Sequence, residues 1–199
     1  MEPWAQIFNP PYRLTRPEGP LVPVVANSPH SGCFYPESFL KSVRLDPLSL
    51  RRSEDAHVGE LFASAPAFGA PLFEACFPRA FLDVNREPWE LDPAMFDAPL
   101  PAYANTASIR VAAGLGTIPR VVSEAQSRIL QLYFPDHAAL SRLTDDLLGH
   151  FGAVLLLDCH SMPSSAAESG WSHTRLRPDI VLGDRHGSAC SAAITATLE

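Results

Sequence analysis

Leu21-Val22-Pro23-Val24-Val25-Ala26 is a short, unbroken apolar run. Such a run, with no polar residue at alternate positions, reads as a strand buried on both faces, the pattern of a parallel sheet covered by helices. Its counterpart late in the chain is Ala153-Val154-Leu155-Leu156-Leu157. Each run delivers a histidine: Ser28-Pro29-His30-Ser31-Gly32 follows the first, and Asp158-Cys159-His160-Ser161 follows the second. In open α/β sheets ligands gather outside the carboxyl ends of strands, so both imidazoles stand where a metal site would be built.

Further elements extend outward from these two runs. Residues 1–20 carry five prolines and little periodicity, which predicts an extended arm rather than a folded element. Pro47–Ala65 reads as one or two helices, capped by Asp46 and apolar at Leu48, Leu50, Val58, Leu61 and Phe62. Strands are expected at Pro71–Glu74 and Phe81–Val84, a loop over Glu90–Pro101, and a turn at Gly114-Leu115-Gly116 between two short strands ending near Val122. Ser123 is placed to cap a long helix bearing Ile129, Leu132, Tyr133, Leu140, Leu143 and Leu147, kinked near Pro135 and stopped at Gly149 or Gly152. Pro163–Arg177 reads as loop, Ile180–Leu182 as a strand and Ser188–Leu198 as a helix. Buried strands alternating with helices define an α/β fold, a three-layer sandwich around a mainly parallel or mixed sheet, as a single domain over residues 21–199.

The bulk properties exclude several classes of function. The 199 residues are 46% hydrophobic and 19% charged, as expected of a globular domain with a sizeable core. A net charge of −7 argues against nucleic acid or an anionic membrane as partner, because both demand concentrated Lys and Arg. Lys41 is the only lysine, so arginine carries the remaining basic charge and suits a small-anion site. No stretch is long and apolar enough to span a bilayer, and Met1-Glu2-Pro3-Trp4 does not open a signal peptide, which predicts a cytoplasmic protein. Cys33, Cys76, Cys159 and Cys190 are widely spaced with no C-x-x-C pair, as expected of free thiols.

The chemistry concentrates in three places. His30 and His160 offer two neutral imidazoles, and a catalytic zinc takes three protein ligands while keeping one position for water. For the third ligand, Arg51-Arg52-Ser53-Glu54-Asp55-Ala56-His57 supplies Glu54, Asp55 and His57, although acidic residues here would also complement a helix dipole. His57-Val58-Gly59-Glu60 has an H-x-x-E spacing that fits a metal motif or a plain i,i+3 surface pair. Between the histidines, Phe77-Pro78-Arg79-Ala80-Phe81-Leu82-Asp83-Val84-Asn85-Arg86 sets two arginines, an aspartate and an asparagine into apolar sequence. Such polar density suits an anion site, with Asp83 orienting its neighbours.

The ordered combination of Ser28–Gly32, Arg51–His57, Arg79–Arg86, Gly116–Arg120, Leu157–Ser165 and Asp179–Gly187 resembles the N-formylglutamate amidohydrolase family, distantly related to zinc carboxypeptidases and aspartoacylases. The resemblance implies a zinc-carboxypeptidase-like (phosphorylase/hydrolase-like) layout. It also implies a Zn²⁺-dependent hydrolase of amino-acid degradation that removes a formyl or small acyl group from an acidic amino acid. His30, Asp55 and His160 would be the metal ligands, and Arg79 would polarise the scissile carbonyl. Asn85 and Arg86 would hold the substrate carboxylate, and Glu54 is the stand-in for moving a proton to the leaving nitrogen. Cys33 stands where the related enzymes place a glutamate ligand, which leaves the third ligand open among Asp55, Glu54 and Cys33. The family also continues beyond this chain's length, and its later part carries a glutamate expected to serve as general base.

Two rivals remain at the level of sequence: another zinc deacylase or carboxypeptidase-like hydrolase, and a non-catalytic module binding acidic N-acyl amino acids. A serine or cysteine hydrolase fits less well. There is no G-x-S-x-G elbow, and adjacent residues such as Cys159 and His160 point to opposite faces of a strand.

Overall fold

A computed structural model describes residues 3–96, 99–118, 125–162 and 179–198. These residues fall into two compact units, 1–161 and 162–199. In the first, four strands form one mixed sheet: β1 (Tyr12–Thr15), β2 (Val24–Ser28), β3 (Leu72–Ala75) and β4 (Leu155–Asp158), in the order β1-β3-β2-β4. The helices of this unit are α1 (Pro3–Ile7), α2 (Glu37–Ser42), α3 (Pro47–Arg51), α4 (Val58–Leu61), α5 (Ile109–Ala112), α6 (Ala125–Arg128) and α7 (Phe134–Phe151). The second unit contributes α8 (Ala192–Leu198).

β2 runs parallel to both β3 and β4, and β1 closes one edge antiparallel to β3. Alternation along the strands supplies both layers that cover the sheet. Val25 and Phe73 pack on Ala139, Leu143 and Leu147 of α7, whereas Ala26 and Leu72 pack with Val58 of α4 and with Cys159. The two apolar runs, Leu21–Ala26 and Ala153–Leu157, are therefore β2 and its neighbour β4, but only β2 is buried on both faces: β4 lies at the edge of the sheet, and its Leu156 is exposed. The first starts at Val24, after Pro23, rather than at Leu21.

Several expectations require correction. Residues 1–20 are not an extended arm: they hold α1 and β1. Trp4 and Phe8 lie four residues apart and set their rings edge-on against Phe81, which gives the N-terminal segment its own place in the core. The Pro47–Ala65 stretch is divided into α3, α4 and a 3₁₀ turn over Ala65–Phe68. Asp46 caps α3 as expected, accepting from the Leu48 and Ser49 amides. Leu50 and Val58 are buried, but Leu48 and Leu61 face solvent.

Phe81–Val84 is no strand. Its residues are buried, but the backbone turns, with the Phe81 amide bonding to Pro78 O and the Asp83 amide to Thr117 O. Pro78 opens that turn, and a short apolar run has no periodicity by which turn and strand could be separated. Gly114, at φ +71°, ends the stretch after α5 rather than joining two strands. Val122, Ser123 and Pro163–Arg177 lie outside the described residues. The long helix is α6 and α7 joined through a π-helical turn at Ile129–Tyr133, with Pro135 in the first turn of α7 and Gly152 as its left-handed cap. Ile180–Leu182 joins no ladder among the described residues and is exposed, whereas the expected C-terminal helix is present as α8.

The main core gathers Phe39, Phe77, Phe81, Leu82, Ile118 and Ile129 with Trp4 and Phe8. Arg128 is enclosed within it, its guanidinium 3.7 Å from the Phe81 ring centroid and its Nη1 donating to Phe81 O at 3.0 Å. Asp136 is a second buried ionisable group, in the first turn of α7, and its Oδ1 has no hydrogen-bond partner among the described residues. Burial pushes its carboxyl up to about 7. The folded protein then binds a proton that the unfolded chain releases near pH 4, so stability falls as pH rises from about 4 to 7. Asp136→Asn is expected to flatten that decline in urea midpoints between pH 5 and pH 8. An unchanged pH profile in the variant would show that Asp136 is not its source. Among the described residues, no helix is long and apolar enough to cross a membrane.

Candidate metal centre

The register of β2 against β4 decides where the site lies. Asn27 of β2 stands opposite Asp158 of β4, so the two parallel strands end together and release His30 and His160 on the same edge. The two rings lie 4.9 Å apart, centroid to centroid. The third group comes from the turn between α3 and α4, where the Asp55 amide donates to His30 O at 3.1 Å. That bond turns the Asp55 side chain toward both histidines. Ligand atoms of His30, Asp55 and His160 all lie within 4.8 Å of one another.

Both rings are oriented alike. Nδ1 of His30 lies 3.3 Å and Nδ1 of His160 2.8 Å from the same oxygen, Asp55 Oδ2. Behind them, His30 Nε2 meets Asp83 Oδ1 at 2.8 Å and His160 Nε2 meets Asp158 Oδ2 at 3.1 Å. Each imidazole is thus backed by a carboxylate, an arrangement that fixes ring orientation and raises the basicity of the inward nitrogen. Two such nitrogens and one carboxylate form a donor set suited to zinc, which in a catalytic site would keep a fourth position for water.

The supporting groups are themselves held. Asp83 Oδ2 accepts from Arg79 Nε at 2.9 Å and lies 3.7 Å from Arg86 Nε, while its Oδ1 also accepts from the Asn85 amide. Asp158 accepts from Asn27 Nδ2 at 2.8 Å and Asn85 Nδ2 at 3.0 Å. Ser31 Oγ receives the Gly59 amide at 3.1 Å and is hydrogen-bonded to Ser28 Oγ, which ties the His30 loop to α4. Gly32 passes so close to the Phe77 carbonyl that a Cβ would collide with backbone. The glycine of the Ser28–Gly32 segment is therefore a packing requirement of the histidine loop.

The electrostatics follow from this network. Burial opposes the charge on Asp55, but hydrogen bonds from His160 and His30 outweigh it and hold the carboxyl well below its usual range. Asp83 is likewise opposed by burial and held low by His30, Arg79 and Arg86. Asp158 is held low by His160, Asn27 and His30, again against burial. His160, between Asp158 and Asp55, is pushed up to about 9. The cluster concentrates negative charge around two imidazoles, which favours a bound cation.

Of the alternatives for the third ligand, His57 is exposed and pairs with Glu60 at 3.0 Å, the plain surface reading of the H-x-x-E spacing, and Cys33 is exposed. Glu54 is not part of the cluster. Its carboxylate accepts from Tyr35 Oη at 2.8 Å and Arg51 Nε at 3.3 Å, because the turn that aims Asp55 at the histidines aims its neighbour elsewhere. The proton-moving role assigned to Glu54 loses its geometric basis. Asn85, expected on substrate, instead donates from Nδ2 to Asp158 Oδ2 at 3.0 Å, which holds the carboxylate behind His160. Arg86 donates to Leu115 O at 3.0 Å and Asn85 O at 2.7 Å.

Asp158 was missed as a site residue. The signal was present in Asp158-Cys159-His160, since residues two apart at a strand end share a face. Asp158→Asn keeps the shape but weakens the support for His160, and is expected to lower zinc affinity about 10- to 100-fold by chelator competition. An unchanged dissociation constant would remove Asp158 from the site.

An α/β sheet with two histidines and a carboxylate gathered at its strand ends defines this protein as a candidate metal-site hydrolase fold. Comparison with known proteins gives the family. Residues 22–199 match the family model for N-formylglutamate amidohydrolase. The N-formylglutamate deformylase of Pseudomonas putida is 27% identical over 188 residues, covering 89% of this chain and 65% of the relative. The enzyme of that name from Pseudomonas aeruginosa is 27% identical over 179 residues with the same coverage. The crystal structure of N-formylglutamate amidohydrolase from Ralstonia eutropha JMP134 superposes with a TM-score of 0.84 at 36% identity, covering 95% of this chain and 71% of that one. The gene product Atu2144 from Agrobacterium tumefaciens shares the fold, with a TM-score of 0.50 at 20% identity, over 76% of this chain and 56% of its own. The chain belongs to the N-formylglutamate amidohydrolase family. It spans 65% of the length of the two Pseudomonas relatives.

Proposed function

We propose that this chain carries the metal site of a zinc-dependent amidohydrolase that removes the formyl group from an N-formyl acidic amino acid such as N-formyl-L-glutamate. One observation carries the reading: His30, Asp55 and His160 converge within 4.8 Å, with the outer nitrogen of each ring on a further carboxylate, Asp83 or Asp158. Similarity to the two Pseudomonas deformylases supports the substrate. The mixed sheet with helices on both faces is compatible with a zinc-carboxypeptidase-like layout.

Zinc held by these three residues would supply a water of pKa near ~7 and a Lewis acid for the formyl carbonyl. The chain's own groups do the rest. Arg79 is anchored through Nε to Asp83, and its terminal nitrogens, which make no hydrogen bond among the described residues, can meet the oxyanion as the carbonyl carbon becomes tetrahedral. Arg86 has one terminal nitrogen beyond its two carbonyl partners and can take one oxygen of the substrate carboxylate. Asn85 holds Asp158 behind His160.

Steady-state kinetics with N-formyl-L-glutamate test the roles. Arg79→Lys is expected to lower kcat about 100-fold, because its contact exists only in the transition state. Arg86→Lys is expected to raise KM more than it lowers kcat, since the carboxylate is present throughout. A reversed pattern overturns the assignment, and metal-loaded protein without turnover would favour a binding module.

A further inference from the structure

Beside Asp83 and Arg79 opens a cavity of about 1040 Å³. These two residues belong to the candidate reaction centre, so a substrate reacting there would extend into the cavity. The walls are of two kinds. Leu45, Leu50, Met95 and Leu115 are apolar, and Leu45 and Leu115, 59% and 49% exposed, leave part of that surface open to a ligand. Besides Asp83, the side chains with polar atoms on the cavity are Arg44, Arg79 and three serines.

Which of these can donate to an anion follows from the bonds they already make. Ser42 Oγ donates to Phe39 O, Ser49 Oγ to Asp46 Oδ2 and Ser53 Oγ to Leu50 O, so each hydroxyl proton is committed three residues back along the chain. Arg79 is tied through Nε to Asp83, which in turn meets His30, and so serves the reacting end. Arg44, in the link between α2 and α3, differs from all of them. Among the described residues it has no ion pair and no hydrogen bond. Asp46, the acid beside it in sequence, is occupied by the Leu48 and Ser49 amides and by Ser49 Oγ. A guanidinium fork without a protein partner therefore lines the cavity, and such a fork takes a carboxylate through two parallel bonds.

We propose that Arg44 binds the side-chain carboxylate of the N-formyl acidic amino acid, an inference that rests on the deacylase reading above. Such a substrate carries two carboxylates. Arg86 takes the one on the backbone and is not among the lining residues, although its Nε donates to Leu115 O in the cavity wall. The side chain then falls to the cavity, its methylenes against the leucines and its carboxylate on Arg44. Arg44 is exposed, and an ion pair in open water contributes little. The apolar walls change that balance, because a side chain lying against them draws its carboxylate out of bulk water, where a charge-assisted bond is stronger.

Calorimetric titration of metal-stripped protein reads binding without turnover. The probes are N-formyl-L-glutamate and N-formyl-L-glutamine, which match in size and differ in one charge. The glutamate compound is expected to bind about tenfold tighter, and Arg44→Gln to erase that preference while leaving the glutamine compound nearly unaffected, which separates a lost contact from misfolding. Arg44→Lys, which keeps the charge without the fork, should restore part of the preference. Arg52→Gln removes an exposed charge that does not line the cavity and should leave the preference intact.

Equal binding of the two compounds, or a preference that survives Arg44→Gln, overturns the proposal. So does an equal loss in Arg52→Gln, which would make the effect one of net charge. In each of these cases formate release by the zinc-loaded protein leaves the deacylase reading standing. Selective binding through Arg44 without formate release from either compound would keep the carboxylate site and remove the deacylase reading, and neither binding nor release would remove both.

Discussion

Asp55→Asn is expected to lower zinc affinity by more than about a hundredfold, a larger loss than any supporting residue should produce. The substitution preserves size and the backbone bond from the Asp55 amide to His30 O, but removes the charge that both Nδ1 atoms face at 3.3 and 2.8 Å. A neutral amide is a poor match for a divalent cation beside two neutral imidazoles. His57→Ala should leave affinity nearly intact, because that ring is exposed and, among the described residues, bonded only to Glu60. Competition of metal-stripped protein against a chelator measures both. Weaker binding in His57→Ala than in Asp55→Asn would move the ligand role to His57.

Phe81→Ala should cost about 3–5 kcal/mol in urea unfolding, enough to threaten a domain of ordinary stability. Phe81 is fully buried at the meeting point of three aromatic contacts, with Trp4, Phe8 and Phe39, and Arg128 stacks on its face. Truncation would leave a cavity lined by three rings from two separate segments and a buried guanidinium without its nearest aromatic face. Since Asp83 lies two residues further along the same turn, metal affinity should fall with stability in this variant. A loss below 1 kcal/mol would mean that the aromatic cluster can close over the gap.

The features readable from sequence were those with a local cause. Leu21–Ala26 and Ala153–Leu157 announced strands as uninterrupted apolar runs, although only the first is covered on both faces, and the histidines after them marked the candidate site. The errors arose where distant packing decides. Phe81–Val84 carries strand-like residues, but Pro78 and the contact with Thr117 fold it into a turn. Trp4 and Phe8 sit in a proline-rich stretch whose composition masks an anchor for the core. Glu54 and Asp55 are neighbours of similar chemistry. Which of them faces the histidines depends on the turn after α3, where the Asp55 amide finds His30 O, and composition carries no trace of that bond. The same holds for Asn85 and Arg86, whose partners Asp158 and Leu115 are set by the fold.

The central claim is that His30 and His160 hold one metal ion together with Asp55. Elemental analysis of the purified protein and its single alanine variants tests it most directly. The account predicts about one zinc per chain in the unaltered protein and loss of that zinc in both His30→Ala and His160→Ala, with folding confirmed by an unchanged circular dichroism spectrum. Full zinc occupancy in both folded variants would contradict it.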